Sequence, residues 1–435
     1  MAVMLNDEFS VAYKAQSAHG IPAAEGAKSS WSWIRVTFPQ DSAADEQEEL
    51  AVSSGVIGAG DQVVPGRRAG SLSFQFNLGS QASDWDGTAP ALTAVNTLIK
   101  DFLGGYTAGS APTADAIASA DGNTWTTDAG TYVVGNCYGT KGEASSTVDA
   151  INWVKSGTSG ALTLFQSSRA NPDADADVVE FANLYPSATQ PTPITIRIVS
   201  DGASEDMRYV NCYPKSLKMS LTAAKGIIAT MEFNYYGRHL ANDGGLYATE
   251  EPQTIPPLMG QNHARIMLAK DSISALDSDT PLLHGLCGLD ELEVEVLANI
   301  EVDPCHGSAD GVSGCQLTDK VCNVSVFVPF DAANLTATET ELASTDGSSG
   351  GYNNLRSKIE GLYESQTKVS WSIEVGTTPG RLMAMRIGSG YIAARPTVAT
   401  VGKRVGSRLQ LRSGPYTGDS VSTNAAGKAF NLCFG

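Results

Sequence analysis

Several groups of side chains in this 435-residue sequence could do chemistry. Five acids (Asp41, Asp45, Glu46, Glu48 and Glu49) crowd one polar stretch and supply oxygen enough for a cation, although a charge cluster in a loop is ordinarily solvated surface. "NPDADADVVE", residues 171–180, alternates carboxylates as part of a calcium loop does. It lacks the mid-loop glycine and the terminal bidentate glutamate at the right spacing. Cys305, His306, Cys315 and Cys322 offer nitrogen and sulfur ligands, but their spacing matches no standard zinc pattern. Free thiols or one Cys305–Cys315 bridge fit that stretch better, and an odd total of seven cysteines leaves at least one unpaired. Such a bridge would contribute roughly 2–4 kcal/mol. The five histidines (His19, His239, His263, His284 and His306) are scattered, none beside a Ser/Asp motif, and the phosphate-cradling G-x-x-x-x-G-K is absent. The expectation is a protein that is not an enzyme, with no catalytic residue, cofactor or metal.

Composition narrows the classes. Hydrophobic residues make up 42% of the chain, ordinary for a globular core, and the length suits about three domains or two larger β domains. Gly, Ser, Thr, Ala and Asp dominate the remainder, which favours strands and turns. A net charge of −18 argues against a conventional nucleic-acid binder, which neutralises phosphate with a basic surface. There is no apolar run of about 18 residues and no leader pattern at the start, so a soluble chain without a membrane segment, not exported by the standard route, is expected.

The elements follow from hydrophobic period. In "SLKMSLTAAKGIIATMEFNYYG", residues 216–237, Leu217, Met219 and Leu221 sit two apart, and Ile227, Ala229, Met231 and Phe233 do the same. Period two predicts a strand with one face buried; the step at Lys225–Gly226 makes a hairpin, with Gly226 available for a positive φ. Lys218, Ser220, Thr222, Thr230 and Glu232 occupy the other, wet face. "RRAGSLSFQFNLGS" alternates in the same way, with Leu72, Phe74, Phe76 and Leu78 opposite Ser71, Ser73, Gln75 and Asn77. "WSWIRVTFP" is predicted as a strand stopped by Pro39. Leu92, Val95, Leu98, Ile99, Phe102 and Leu103 form a helical stripe ended by Gly104–Gly105.

Residues 106–190 break this rhythm and are expected to form a small β insertion with strand-like runs "GTYVVGNCY", "AINWV" and "ALTLFQ". After it, "ITIRIV" and the opening hairpin complete a first sheet. The order strand, loop, strand, helix, strand, hairpin then recurs: "GLDELEVEVLANIEV", "KVCNVSVFVPF", the stripe Leu355, Ile359 and Leu362, "TKVSWSIEV", and "GYIAARPTVATVGKRVGSRLQLRSGPYTG". The copies end about 180 residues apart, at Gly237 and Gly418. A tandem duplication accounts for this order. The fold class is therefore mainly β with short helices (α+β), in two tandem β-sandwich or half-barrel domains. Expected boundaries are an arm at 1–29, a first domain at 30–250 with the insertion at about 106–190, a linker at 251–287 and a second domain at 288–435.

"VPGRRAGSLSFQFNL", a helix ending "FLGG" and the "LKMSLTAAKGIIATMEFNYYG" hairpin together resemble the tail tube proteins of long-tailed bacteriophages, as do "NVSVFVPF", "LRSKIEGLY" and the closing hairpin of the second half. The likeness covers about two thirds of the chain and rests on strand polarity. It departs from the family at "VGKRVGS", where the glycine step is blurred, and at Gly414–Pro415, which interrupts the last strand. The resemblance implies a structural virion protein of the tail, assembled in the host cytoplasm. Rings of six such domains, here three chains, would join their sheets edge to edge, four lining strands per domain. The polar faces would line a lumen through which double-stranded DNA passes without specific binding. Its partners would be further copies of itself, a tape-measure protein, and tail-terminator and tip proteins. The alternatives are another β-rich virion or surface-layer protein, such as a decoration or fibre, and a glycan-binding β module.

Charge is unevenly placed. Between Leu355 and Arg412 stand ten basic residues and three acids, a local balance of +7 that leaves −25 for the rest of the chain. The resemblance implies that the long loop after the first strand, Pro39–Pro65, reaches the neighbouring ring. The expected stacking contact therefore sets Asp45, Glu46, Glu48 and Glu49 against basic positions such as Arg404 and Arg408 of the next ring. Exposed pairs give well under about 1 kcal/mol each, but symmetric copies add and fix direction. Replacing Glu46, Glu48 and Glu49 with Gln should slow tube growth in a light-scattering assay, most at low salt, since the screening length falls to about 10 Å at 0.1 M. Growth at the wild-type rate in every salt would mean that stacking is apolar.

Overall fold

A computed structural model describes residues 9–24, 27–43, 47–50, 62–65, 69–79, 89, 92–111, 113–115, 117–119, 124–128, 130–142, 148–165, 172, 176–187, 190–200, 206–222, 225–241, 264–270, 281–284, 291–305, 311–329, 360–366, 368–414 and 430–435. The chain is mainly β with short helices. In the first half, six antiparallel strands close on themselves: Phe9–Ala15, Ser32–Ala43, Gly70–Asn77, Lys225–Tyr235, Asp206–Thr222 and Ile194–Ser200, the last returning to the first.

The second half repeats this pairing order. Ala264–Lys270 pairs with Pro281–His284, and the chain continues into Glu291–Pro304. That strand pairs with Val312–Pro329, then follow Arg404–Ser413, Met383–Val401 and Val369–Val375, which returns to Ala264–Lys270. Two strands, Pro281–His284 and Glu291–Pro304, thus stand where the first half has the single strand Ser32–Ala43. Residues 251–287, expected as a linker, therefore contribute two strands to the second half. The two pair with each other, and Ala264–Lys270 gains its second partner, Val369–Val375, from about a hundred residues along the chain.

Long strands turn the corners of these barrels, and proline marks the corners. Ser32–Ala43 does not stop at Pro39. It pairs first with Phe9–Ala15 and then with Gly70–Asn77, and its register slips between Thr37 and Gln40. Pro214 and Pro396 stand at the matching slips in Asp206–Thr222 and Met383–Val401. Proline brings no N–H to the ladder, so an irregularity that leaves a residue unpaired is where a strand tolerates it.

Thr93 caps the helix Ala94–Leu103, accepting from the Asn96 N–H at 3.1 Å, and Gly104 ends it at φ 83°, a conformation that disfavours any side chain. Its stripe Val95, Leu98, Ile99, Phe102 and Leu103 is buried as its spacing predicts. Leu362 of the second helical segment, 360–364, is buried too; Leu355 and Ile359 lie outside the described residues. The buried faces of both halves merge into one core, in which Phe74 and Phe233 stack at 5.6 Å. Gly226 lies inside the strand Lys225–Tyr235, and the turn residues 223–224 are not among those described.

The insertion forms a separate seven-stranded sheet between Thr113 and Glu180, around Trp125, Tyr138, Val154 and Leu162. "AINWV" and "ALTL" are strands, but only the end of "GTYVVGNCY" joins one, Cys137–Gly142. Ala182–Pro186, within the expected insertion, belongs instead to the main sheet: it pairs with Gly104–Thr107 on one side and with Phe430–Phe434 on the other. Phe430–Phe434 also pairs with Met383–Ile387 and so ties the base of the insertion to the second half. There the buried Arg386 guanidinium lies 4.3 Å from the ring of Phe165, across the same junction. All five residues of Phe430–Phe434 are buried. Truncating one of its rings, Phe434→Ala, should cost roughly 3–5 kcal/mol, read as a lower denaturant midpoint with an unchanged slope.

Candidate functional site

The two halves share one sheet. Ser216–Thr222 of the first half pairs with Glu291–Leu297 of the second through an unbroken seven-residue register. Eight strands therefore run side by side in the order 37–43, 70–77, 225–235, 206–222, 291–304, 312–329, 404–413 and 383–401, four from each half. On one side Leu217, Met219, Leu221, Met231, Leu292 and Val294 are buried in the common core. The opposite side carries Ser71, Ser73, Gln75, Lys218, Ser220, Thr230, Glu232, Glu293, Glu295, Asn323, Ser325 and Gln410, partly or fully open to solvent. The strict alternation in each strand forces this division, because a one-residue slip would exchange the two sides.

Charges on the polar face are matched in place. Lys218 Nζ lies 2.9 Å from a Glu293 carboxylate across the junction of the halves, and Lys215 lies 2.6 Å from Glu232. Arg408 reaches over the intervening strand to Glu291 at 2.6 Å and donates to Ser325 Oγ at 3.2 Å. Beside them lies a hollow of about 330 Å³ lined by Glu293, Glu295, Asn323, Ser325, Gln410 and Arg412. Among the described residues no three His, Cys, Asp or Glu side chains converge as a metal would require.

The residues expected at a stacking surface are dispersed. Asp45 and Glu46 lie outside the described residues, while Glu48 and Glu49 belong to a two-stranded ribbon of Gln47–Leu50 with Gln62–Pro65. Arg404 follows a two-residue turn with Gly402 at φ 58°. Arg408 lies on the polar face of the sheet, 2.6 Å from Glu291. Asp41, another of the clustered acids, accepts from Tyr235 at 2.7 Å and Tyr209 at 3.2 Å. Cys305 and Cys315 are both half-buried. The ladder sets Cys315 opposite Val302, three positions from Cys305.

One side chain that ties the halves together escaped the sequence pattern. Lys320, on the strand Val312–Pro329, donates to the Leu103 carbonyl at 2.8 Å and so closes the C-terminal end of the first-half helix from the second half. Only its place beside an alternating strand could have pointed to it. No helix among the described residues is long and apolar enough to cross a membrane. Compared with known proteins, the chain matches no family model and is similar to no curated protein.

Burial pushes the Lys320 amine down to about 8. The unfolded chain keeps its proton up to about 10.4, so between the two values it binds more protons than the folded chain. Stability relative to a Lys320→Met variant should therefore rise between about pH 8 and 10.4 and be flat below pH 8. Denaturation of both proteins across that range checks the sign.

Proposed function

We propose that this protein is a tail tube subunit of a long-tailed bacteriophage, polymerising into stacked rings that conduct DNA from the virion. What carries this reading is the joined sheet: eight strands, four from each half, with one wet face and one face sunk in the core. Three chains would bring about 24 strands, roughly 115 Å of circumference at about 4.8 Å per strand, and a backbone diameter of about 37 Å before strand tilt widens it. Duplex DNA passes such a bore.

The strand count is compatible with closure. Seven antiparallel steps leave the two outer strands running in opposite directions, so copies related by rotation meet antiparallel. Such a lumen would be non-adhesive less by plain acidity than by pairing. Lys215, Lys218 and Arg408 are each held by a carboxylate and offer phosphate little. On this reading the ribbon after the first long strand contacts the next ring, and tape-measure, terminator and tip proteins engage the tube.

Negative-stain microscopy of the purified protein tests the reading. Rings or tubes with threefold symmetry and an open centre are expected; a monodisperse monomer at every concentration and salt would overturn it.

A further inference from the structure

The internal junction has an unfilled counterpart. Ser216–Thr222 pairs with the hairpin partner Lys225–Tyr235 on one edge and with Glu291–Leu297 on the other. Its equivalent in the second half, residues 391–401, pairs on one edge with Arg404–Ser413. On the other edge it meets no strand among the described residues. The strand equivalent to Glu291–Leu297 is 37–43, which pairs with Gly70–Asn77 and likewise meets no strand on its far edge among the described residues.

The side chains at the bare edge match those at the filled one. Counting back from the pairs that close the two hairpins, Thr222 with Lys225 and Val401 with Arg404, sets Met219 level with Val398. The pair next to the close, Leu221 with Ile227, is level with Thr400 and Val405. Met219 and Ile227 are each 2% exposed, whereas Val398 is 59% and Val405 48% exposed. Both valines lie on the side of the sheet that Leu409 and Leu411 turn to the core. They are apolar and exposed where their counterparts are covered.

We propose that residues 391–401 pair with residues 37–43 of a second copy of this chain, in the register of the internal junction. In that junction Lys218 faces Glu295 and Ser220 faces Glu293. Lys218 and Ser220 correspond to Thr397 and Ala399. Ser73 pairs with Gln40 as Ser325 pairs with Glu293, and Ser71 pairs with Ser42 as Asn323 pairs with Glu295. Thr397 of one copy therefore faces Ser42 of the next, and Ala399 faces Gln40. This seam carries no ion pair at those positions, so added salt removes no attraction there, unlike stacking through the acidic ribbon. The proposal rests on the tube reading for the number of copies, though not for the pairing itself.

A Thr397→Cys, Ser42→Cys double variant, oxidised mildly with diamide and run on a non-reducing gel, tests the register. Covalent species ending at a trimer are expected, absent from either single variant. Rings seen by microscopy without this cross-link would overturn the seam and leave the tube reading standing. Cross-linked chains without rings would keep the seam and overturn the tube. Neither rings nor cross-link would overturn both. Independently, Val398→Asp with Val405→Asp should raise the concentration needed for assembly at least about tenfold while leaving the melting of the single chain unchanged. Assembly at the wild-type concentration would overturn the seam.

Discussion

A strand edge is a row of backbone donors and acceptors that must find partners, and most of this architecture satisfies that requirement. The first half curls six strands until the last meets the first, and the second half runs seven, from Pro281–His284 through Ala264–Lys270 and Val369–Val375 round to Glu291–Pro304, so within a half few edges remain among the described residues. The corners need long strands that serve two partners in succession, and each such corner costs some regularity. Pro39, Pro214 and Pro396 occupy those irregular points, where the missing N–H leaves no ladder position vacant.

Joining the halves extends the same solution. The edge at Ser216–Thr222 is filled by Glu291–Leu297, and this pairing also covers Leu217, Met219 and Leu221. Hydrogen bonding and apolar burial thus act on one segment together. The ion pairs above it, Lys218 with Glu293 and Arg408 with Glu291, are partly exposed and contribute little stability. Their effect is on the face itself, which they leave wet and nearly self-neutralised.

The fold was legible in the sequence wherever a strand has one wet side. Gly70–Asn77 and the hairpin 216–237 alternate because core and solvent alternate, and the stripe of Ala94–Leu103 is equally plain. Burial on both sides removes that signature or makes it misleading: Phe430–Phe434 does not alternate, and Val369–Val375 alternates although its polar side is buried too. Phe430–Phe434 and Val369–Val375 are buried on every residue, so nothing local says which segments flank them. Ala264–Lys270 passed for linker because one partner, Pro281–His284, is a run of only four residues and the other, Val369–Val375, is about a hundred residues away. Pro39 misled for a different reason: proline signals a break in the ladder, and a corner is such a break without being an end. In the site, the polar side chains were visible from alternation, whereas their pairing was not. Arg408, expected from net charge as a base for ring stacking, has its contacts set by the register, over Ser325 and beside Glu291.

Phe430–Phe434 has a consequence for synthesis. Its Cys433 thiol meets the Asn183 side chain across 250 residues of sequence. Translation at about 5–20 residues per second therefore leaves that edge of Ala182–Pro186 bare for roughly 12–50 s after it emerges from the ribosome. Through that interval neighbouring nascent chains on the same messenger present the same edge, ready to pair with one another. A chaperone that shields residues near 182–186, or a slow expression temperature that thins the polysome, would therefore raise the yield of folded chains without any change to the finished core.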